Sequence, residues 1–460
     1  SDLYAMRLPA AITELMLLFI FYAFQGLIKI QKKQAFLSAL ILATSFYIVF
    51  SGRDGQWDIF THTYMMGSIF FLIKIFQNSK NLYRNAVLAA LFFGASLLSK
   101  GPVSLYALFL PFLIAYGLTY NYRGFKGKRL SIFLFIILGI ALGTWWFIYV
   151  RIADPVTFLK IATRETSNWA GYNVRPFYYY WSFFVQSGIW TIPSFVALLY
   201  PYLKNKVSNP KAYKFSFLWT IAAVILLSVI PEKKSRYLLP VLIPMAINTG
   251  FYIEYLFRNF RTLSKSESWI VYFNHGLIAF IGLVFPLAAF FYLDLTGFWF
   301  WYIVASVTLF GIGLGILYFL WKKKYPPVFY LTVSFISGII LFGFPLMYAF
   351  LKNPDFNNIK NLNLLAEEEN FEVYEYKSFS PELIWEYGSS IPLIEDLKPL
   401  KDKDSFGILF MEEDSLQVKS CFKNFEIKRR ERYDLNYVNP EAGGYKDRLI
   451  RAFYLLESND

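Results

Sequence analysis

"LSIFLFIILGIALGTWWFIYV", residues 130–150, runs for 21 residues without a charge. A helix of that length rises about 30 Å, the thickness of a bilayer's hydrocarbon core. The run is one of many. Apolar stretches recur from Leu8 to Phe350, and the 460-residue chain is 56% apolar and 21% aromatic, with 17% of its residues charged. A soluble domain carries about 25% charged residues. The composition therefore describes a polytopic membrane protein. Cys421 is the single cysteine, which excludes an internal disulfide and a cysteine-based metal cluster.

The net charge of +13 would suggest a nucleic-acid partner in a soluble protein, but its distribution excludes that reading. Residues 1–351 hold 30 Lys and Arg against 10 Asp and Glu, whereas residues 352–460 hold 15 against 22. The apolar runs stop at Leu351, where the charge changes sign. This predicts a membrane domain over 1–351, followed by an acidic, water-soluble domain over 352–460.

Apolar runs bounded by charges and turn residues predict about 12 spans: 8–28, 35–51, 57–77, 84–98, 102–120, 130–150, 178–203, 213–230, 236–257, 270–292, 297–321 and 328–350. Every second loop is basic: "KIQKKQ", "NSKNLYR", "NYRGFKGKR", "KNKVSNPKAYK", "FRNFRTLSK" and "WKKKYPP". The bias of Lys and Arg toward the cytoplasmic side places these six inside. The loops "SGRDGQWD", "SKGP", 151–177, "PEKKSR" and "LDLTG" then face outward, as does the tail domain.

Positive charge on the outer side runs against that bias and calls for a specific partner. "PEKKSRY" sets Glu232, Lys233, Lys234 and Arg236 at the mouth of an apolar helix, with Pro231 ending the helix before it. Anionic lipid headgroups are the plainer partner for these cations, but the usual anionic leaflet is the cytoplasmic one. A lipid-borne phosphate in the outer leaflet suits them better. "SKGP" places Lys100 in a short outer turn, either as a snorkelling lysine or as a cation for the same phosphate.

"SGRDGQWDIF" carries Asp54 and Asp58, four residues apart. If that stretch is helical the two carboxylates share a face, fit to act as a base or to bind a metal. The plainer reading is a helix cap. His62 lies one turn beyond Asp58 and reads as a hydrogen-bonded helix residue. The long outer loop offers Arg164, Glu165 and Arg175 and is a candidate lid with a helix of its own. No phosphate loop, nucleophile elbow or metalloprotease motif is present, and a divalent metal finds no clear ligand set.

"AMRLPAAI", "GRDGQWDIF", "LLSKGPVSLYALFLPFL", "RPFYYYW" and "KKSRYLLPVLIPMAI" follow one another in an order that resembles the GT-C glycosyltransferases. The branch is that of the protein O-mannosyltransferases and the aminoarabinose transferases that modify lipid A. The likeness covers most of residues 5–250, and "FSPELIWEYG" resembles the extracytoplasmic tail of the aminoarabinose type. It implies transfer of a sugar from a polyprenyl phosphate, such as undecaprenyl phosphate, to a lipid, glycan or protein acceptor. The setting is the outer face of a bacterial inner membrane, in building or modifying a cell-envelope glycan. Asp58 then matches the acidic residue that opens the corresponding span, with Asp54 beside it. Lys100, Lys233, Lys234, Arg236 and Tyr237 fall to the lipid phosphate, and Arg164, Glu165 and Arg175 to the loop over the site.

Two departures stand out. The family's first outer loop, with its principal carboxylate, precedes "RLP", so the chain reads as N-terminally truncated by one helix. "GYNVRPFYYY" offers Asn173 and Arg175 where some members carry a zinc-ligating His.

In the tail, 371–377, 406–411, 425–430 and 448–456 read as strands, and "SPELIWEYG" and "EEDSLQVKS" as capped helices. The expected fold is an all-α polytopic domain with a small α/β domain after it. The alternative is a transporter or flippase of a lipid-linked or anionic substrate. It is disfavoured because the charges gather at helix mouths on one side instead of at the midplane.

Overall fold

The computed structural model describes residues 3–458 apart from 78, 79, 123, 352, 379 and 442. Asn78, Ser79 and Arg123 of the basic loops and Phe379 of "FSPELIWEYG" thus lie outside the described residues. The chain forms two compact units. One holds the residues up to Pro286 together with Ser306–Ile340, and the other holds Leu287–Ala305 with Leu341–Asp460.

The first unit opens with α1 (Leu3–Leu27), α2 (Lys32–Ala43), α3 (Phe46–Arg53), α4 (Trp57–Gln77) and α5 (Leu82–Lys100). A π-helical turn over Leu105–Phe109 leads into α6 (Leu110–Tyr120), followed by α7 (Arg129–Ala153) and α8 (Pro155–Gly171). Then come the short α9 (Thr191–Ala197) and α10 (Tyr200–Leu203), and the long α11 (Pro210–Val229) and α12 (Leu239–Asn259). The helices α13 (Lys265–Tyr292), α14 (Trp299–Trp321) and α15 (Tyr325–Gly338) follow, the end of α13 and the start of α14 being assigned to the other unit, as is α16 (Phe344–Leu351).

Nine helices among the described residues are long and apolar enough to cross a membrane, and α2 with α3 makes a tenth if that bent pair is one span. The sequence-based expectation of about twelve spans is larger than this number. Residues 178–203 form no continuous helix: 3₁₀ turns lead to α9 and α10, Gly188 has a left-handed φ of 66°, and Pro193 and Pro201 fall in the first turns of those two short helices, where proline is tolerated. The stretch 102–120 is helical but short, starting after Gly101 at φ 68°.

The 60° bend between α2 and α3 has a side-chain cause. Thr44 and Ser45 turn their hydroxyls back onto the carbonyls of Leu40 and Ile41, at 2.6 and 2.7 Å. Such bonds compete with the helix ladder and open it. The buried Trp190 Nε1 donates to Thr44 Oγ1 at 2.8 Å and fixes the bend to the 3₁₀ segment 183–190. Close helix contact elsewhere rests on small residues. A Cβ on Gly94 of α5 would meet Leu142 of α7, and one on Gly143 would meet Leu97. Lys128 donates to the terminal carbonyls of α4 at Ile75 and Phe76, at 2.6 and 2.9 Å, where the helix dipole favours a cation.

The second unit contains a five-stranded sheet. Its strands are β1 (Glu372–Tyr376), β2 (Leu393–Ile394), β3 (Ser405–Phe410), β4 (Phe425–Asp434) and β5 (Ile450–Ser458), in the order β2-β1-β3-β5-β4. β1 is parallel to both neighbours, and β5 is antiparallel to both of its own. Three helices pack on the sheet: α17 (Lys360–Glu368), α18 (Pro381–Tyr387) and α19 (Ser415–Cys421).

Strand alternation divides the core in two. Phe453 and Leu455 of β5 join Leu362, Leu383 and Tyr387, on the side of α17 and α18. Tyr454 and Leu456 join Val418 and Phe422, on the side of α19. The expected strands and helices are thus present, with β2 and α17 added. A charge pair lies within this core: Arg451 Nη2 stands 3.0 Å from Glu375 Oε1, both side chains 1% exposed or less. Arg451 also donates to the carbonyls of Arg448 and Ile450.

Candidate functional site

Two helix ends begin the site. Asp58 lies in the first turn of α4 and Lys100 is the last residue of α5. Each sits where the helix dipole stabilises its charge. Lys100 Nζ approaches Asp58 Oδ1 to 2.6 Å, and His62 Nε2 lies 3.9 Å from the same oxygen. The Asp58 carboxylate is 4% exposed and the Lys100 side chain 25%. One side of the ammonium is therefore committed to Asp58 while the other stays accessible, 5.2 Å from the Tyr237 ring.

The second part comes from two loops joined as a short ribbon. Val174 bridges Glu232 in antiparallel fashion, with Arg175 N–H donating to the Pro231 carbonyl and Lys233 N–H to that of Asn173. The Lys233 ammonium turns inward onto the carbonyls of Ile230 and Arg175, at 2.5 and 3.1 Å. Burial lowers its pKa from the ordinary lysine value. Lys234 turns the other way, to Glu232 Oε1 at 2.7 Å, and Tyr237 Oη donates to that same oxygen at 3.0 Å. Burial pulls the Lys234 pKa down, but Glu232 and Tyr237 together outweigh it and the net shift is upward. Tyr180 holds the Lys234 backbone from below, accepting from its N–H and donating to its carbonyl, both at 3.0 Å.

These parts face a cleft of about 820 Å³. Lys100, Glu165, Glu232, Lys234, Arg236 and Tyr237 supply its polar wall. Leu98, Val103, Trp146, Phe147 and Val150 supply an apolar one. The third wall is α8, which presents Thr157, Phe158, Ile161, Ala162 and Glu165. That spacing of three and four is one face of a helix. The long loop over 151–177 does form its own helix, lying along the cleft.

The site residues expected from sequence fall into two groups. Lys100, Lys234, Arg236, Tyr237 and Glu165 line one cleft. Asp58 stands behind Lys100, while Lys233 is spent on the ribbon. Arg164 is exposed and 3.4 Å from Glu165, and Arg175 takes part in the ribbon through its backbone. Asp54 and Asp58 do not share a helix face. Asp54 ends α3, Gly55 turns the chain at φ 64°, and α4 starts at Trp57. Burial raises the Asp54 pKa, while Arg53 and Arg7 pull it back.

Glu232 and the aromatic residues Tyr172 and Trp146 were missed as lining residues. Glu232 could have been found as the one acid within the "PEKKSR" run. Among the described residues, no group of three or more His, Cys, Asp or Glu side chains stands close enough to hold a metal.

This is an amphiphilic cleft, roofed by an amphipathic helix, in a many-helix membrane unit. Residues 1–147, which include Asp54, Asp58 and Lys100, match the family model of the dolichyl-phosphate-mannose-protein mannosyltransferases. No curated protein matches the sequence.

Two solved structures match the fold, both of ArnT from Cupriavidus metallidurans. The one bound to undecaprenyl phosphate has a TM-score of 0.64 at 13% identity, covering 99% of this chain and 84% of that one. The apo form has a TM-score of 0.61, also at 13% identity, covering 98% and 83%. The resemblance to GT-C glycosyltransferases is thus shown by the family match and by the fold.

Proposed function

We propose that this chain is a multi-pass glycosyltransferase that takes a sugar from a polyprenyl phosphate, of which undecaprenyl phosphate is the leading candidate. The acceptor is a lipid, glycan or protein on the outer side of a bacterial inner membrane, where the α/β tail also lies. The carrying observation is the pairing of Lys100, Lys234 and Arg236 with an apolar wall in one cleft. A sugar-phosphate on an isoprenoid chain has that same division between charge and hydrocarbon. The ArnT structure bound to undecaprenyl phosphate supports the same ligand class.

In this reading an oxygen or nitrogen of the acceptor bonds to the anomeric carbon. The bond from that carbon to the phosphate oxygen breaks, leaving its electron pair on the phosphate. Lys100, Lys234 and Arg236 neutralise the charge that develops there, which is the electrostatic part of the rate enhancement. The acceptor's proton passes to Glu165, the lining carboxylate that no lysine or tyrosine of the cleft engages. Asp58 holds the Lys100 ammonium in place, a positioning role favoured by its burial.

The test is mass spectrometry of envelope lipids and glycoproteins from cells with and without the gene. A sugar-sized mass lost from one component, and restored by wild type but not by Lys100→Gln, supports transfer and names sugar and acceptor. Unchanged envelope masses with normal polyprenyl-phosphate-sugar pools would overturn it and favour transport.

A further inference from the structure

Away from the transferase cleft, the basic loops "FRNFRTLSK" and "WKKKYPP" converge on a second site. Two contiguous clefts of about 500 and 430 Å³ share Phe260, Arg261 and Lys323. Lys265 and Lys324 add cations, and no carboxylate lines either cleft. Among the described residues, Arg261, Lys265, Lys323 and Lys324 have no acidic side chain within ion-pair distance, whereas Arg258 is held by Glu254.

The charge bias of cytoplasmic loops accounts for cations at this end of the bundle. It does not account for their gathering around a concavity. Two of them also occupy positions where lysine is unusual, Lys323 by its backbone and Lys265 by its charge. Lys323 has a left-handed φ of 50°. It closes α14 through bonds from Lys323 N–H to Leu320 and from Lys324 N–H to Phe319. That position favours glycine or asparagine. Lys265 opens α13, where the helix dipole repels positive charge.

The surroundings point to the source of the anion. Trp269 and Phe273, stacked at 5.2 Å, and Trp321 are exposed apolar rings beside the cations. Aromatic side chains of this kind sit at the headgroup level of a bilayer. Phe260 and Tyr272, with ring centroids 6.0 Å apart, contribute to the apolar part of the wall.

We infer that this is a binding site for the phosphate of an anionic phospholipid headgroup, with Arg261, Lys323 and Lys324 as its principal contacts and Lys265 beside them. The inference does not rest on the transferase reading. Basic pockets between helix ends recognise such headgroups, and each cation contributes about fivefold in affinity.

The test is native mass spectrometry and thermal unfolding of the full chain in detergent. Cardiolipin, phosphatidylglycerol, phosphatidylcholine and inorganic phosphate are added separately. Wild type should retain one anionic lipid and unfold at higher temperature with it, but not with phosphatidylcholine. Arg261→Gln with Lys323→Gln and Lys324→Gln should weaken retention by about 100-fold. Lys126→Gln with Arg129→Gln and Lys204→Gln, which removes as much charge elsewhere, should leave it unchanged. Equal loss in both triple variants would overturn the site in favour of diffuse attraction. Full stabilisation by inorganic phosphate alone would overturn the lipid assignment. Retention of lipid by the first triple variant at wild-type strength would overturn both.

Discussion

Lys100 and Asp58, 42 residues apart in sequence, meet at 2.6 Å where α5 ends and α4 begins, with the carboxylate buried and the ammonium half-turned to the cleft. One ion pair thus joins the membrane core to the proposed site of chemistry.

Breaking that pair from either side should have unequal effects. Lys100→Gln leaves a buried carboxylate without its cation and should cost about 3 kcal/mol of stability as well as donor binding. Asp58→Asn, combined with Lys100→Gln, should recover most of that stability and none of the binding. Thermal unfolding and polyprenyl-phosphate titration of the single and double variants, beside wild type, check both expectations. Equal stability of the single and double variants would disprove the coupling.

Glu165 and the cations are expected to separate kinetically. Glu165→Gln should lower kcat by about 10²-fold or more with little change in donor affinity, as for loss of a general base. Arg236→Gln should weaken donor binding and turnover together. Steady-state rates at varied donor concentration distinguish the two, and a Glu165→Gln enzyme of normal kcat would remove it from the proton-transfer role.

The tail domain has a buried charge pair of its own. Arg451→Met alone strands Glu375 among apolar side chains and should destabilise the domain by about 3–5 kcal/mol. Pairing it with Glu375→Leu should restore much of the loss. Chemical denaturation followed through the tail's tryptophan, Trp385, reads the result.

Acid should weaken the tail through Glu382, whose pKa Arg448 lowers to about 2, with a hydrogen bond of 2.9 Å from Arg448 Nη1 to Oε2. A folded pKa below the unfolded value of 4.5 means the contribution is complete above about pH 4.5 and fades as pH falls toward 2. The melting-temperature difference between wild type and Glu382→Gln should shrink across that window. A difference that is constant from pH 6 to about pH 3 would contradict it.

Much of this was legible beforehand because bilayer and sheet each impose a period. Apolar runs marked α4 and α7 to within three residues, and short β-prone runs marked β1, β3 and β5. The stretch 178–203 misled because apolar content alone does not report where 3₁₀ turns and Gly188 break a helix. Lys233 and Lys234 are adjacent and chemically alike, yet one is consumed by backbone carbonyls and the other lines the cleft. Only the pairing of residues 173–175 with 231–233 separates them. That pairing joins segments far apart in sequence, which no local pattern encodes.

The ionic make-up of the cleft bears on how a reaction cycle would close. Asp58, Glu165 and Glu232 oppose Lys100, Lys234 and Arg236, three charges against three. An empty cleft is therefore close to electroneutral, and in the proposed cycle a departing phosphate would meet Lys100 and Lys234, which have Asp58 and Glu232 to return to. On that proposal Asp58 and Glu232 would compete with the spent carrier and hasten its exit, so the same side chains that order the site would hold down affinity for the product.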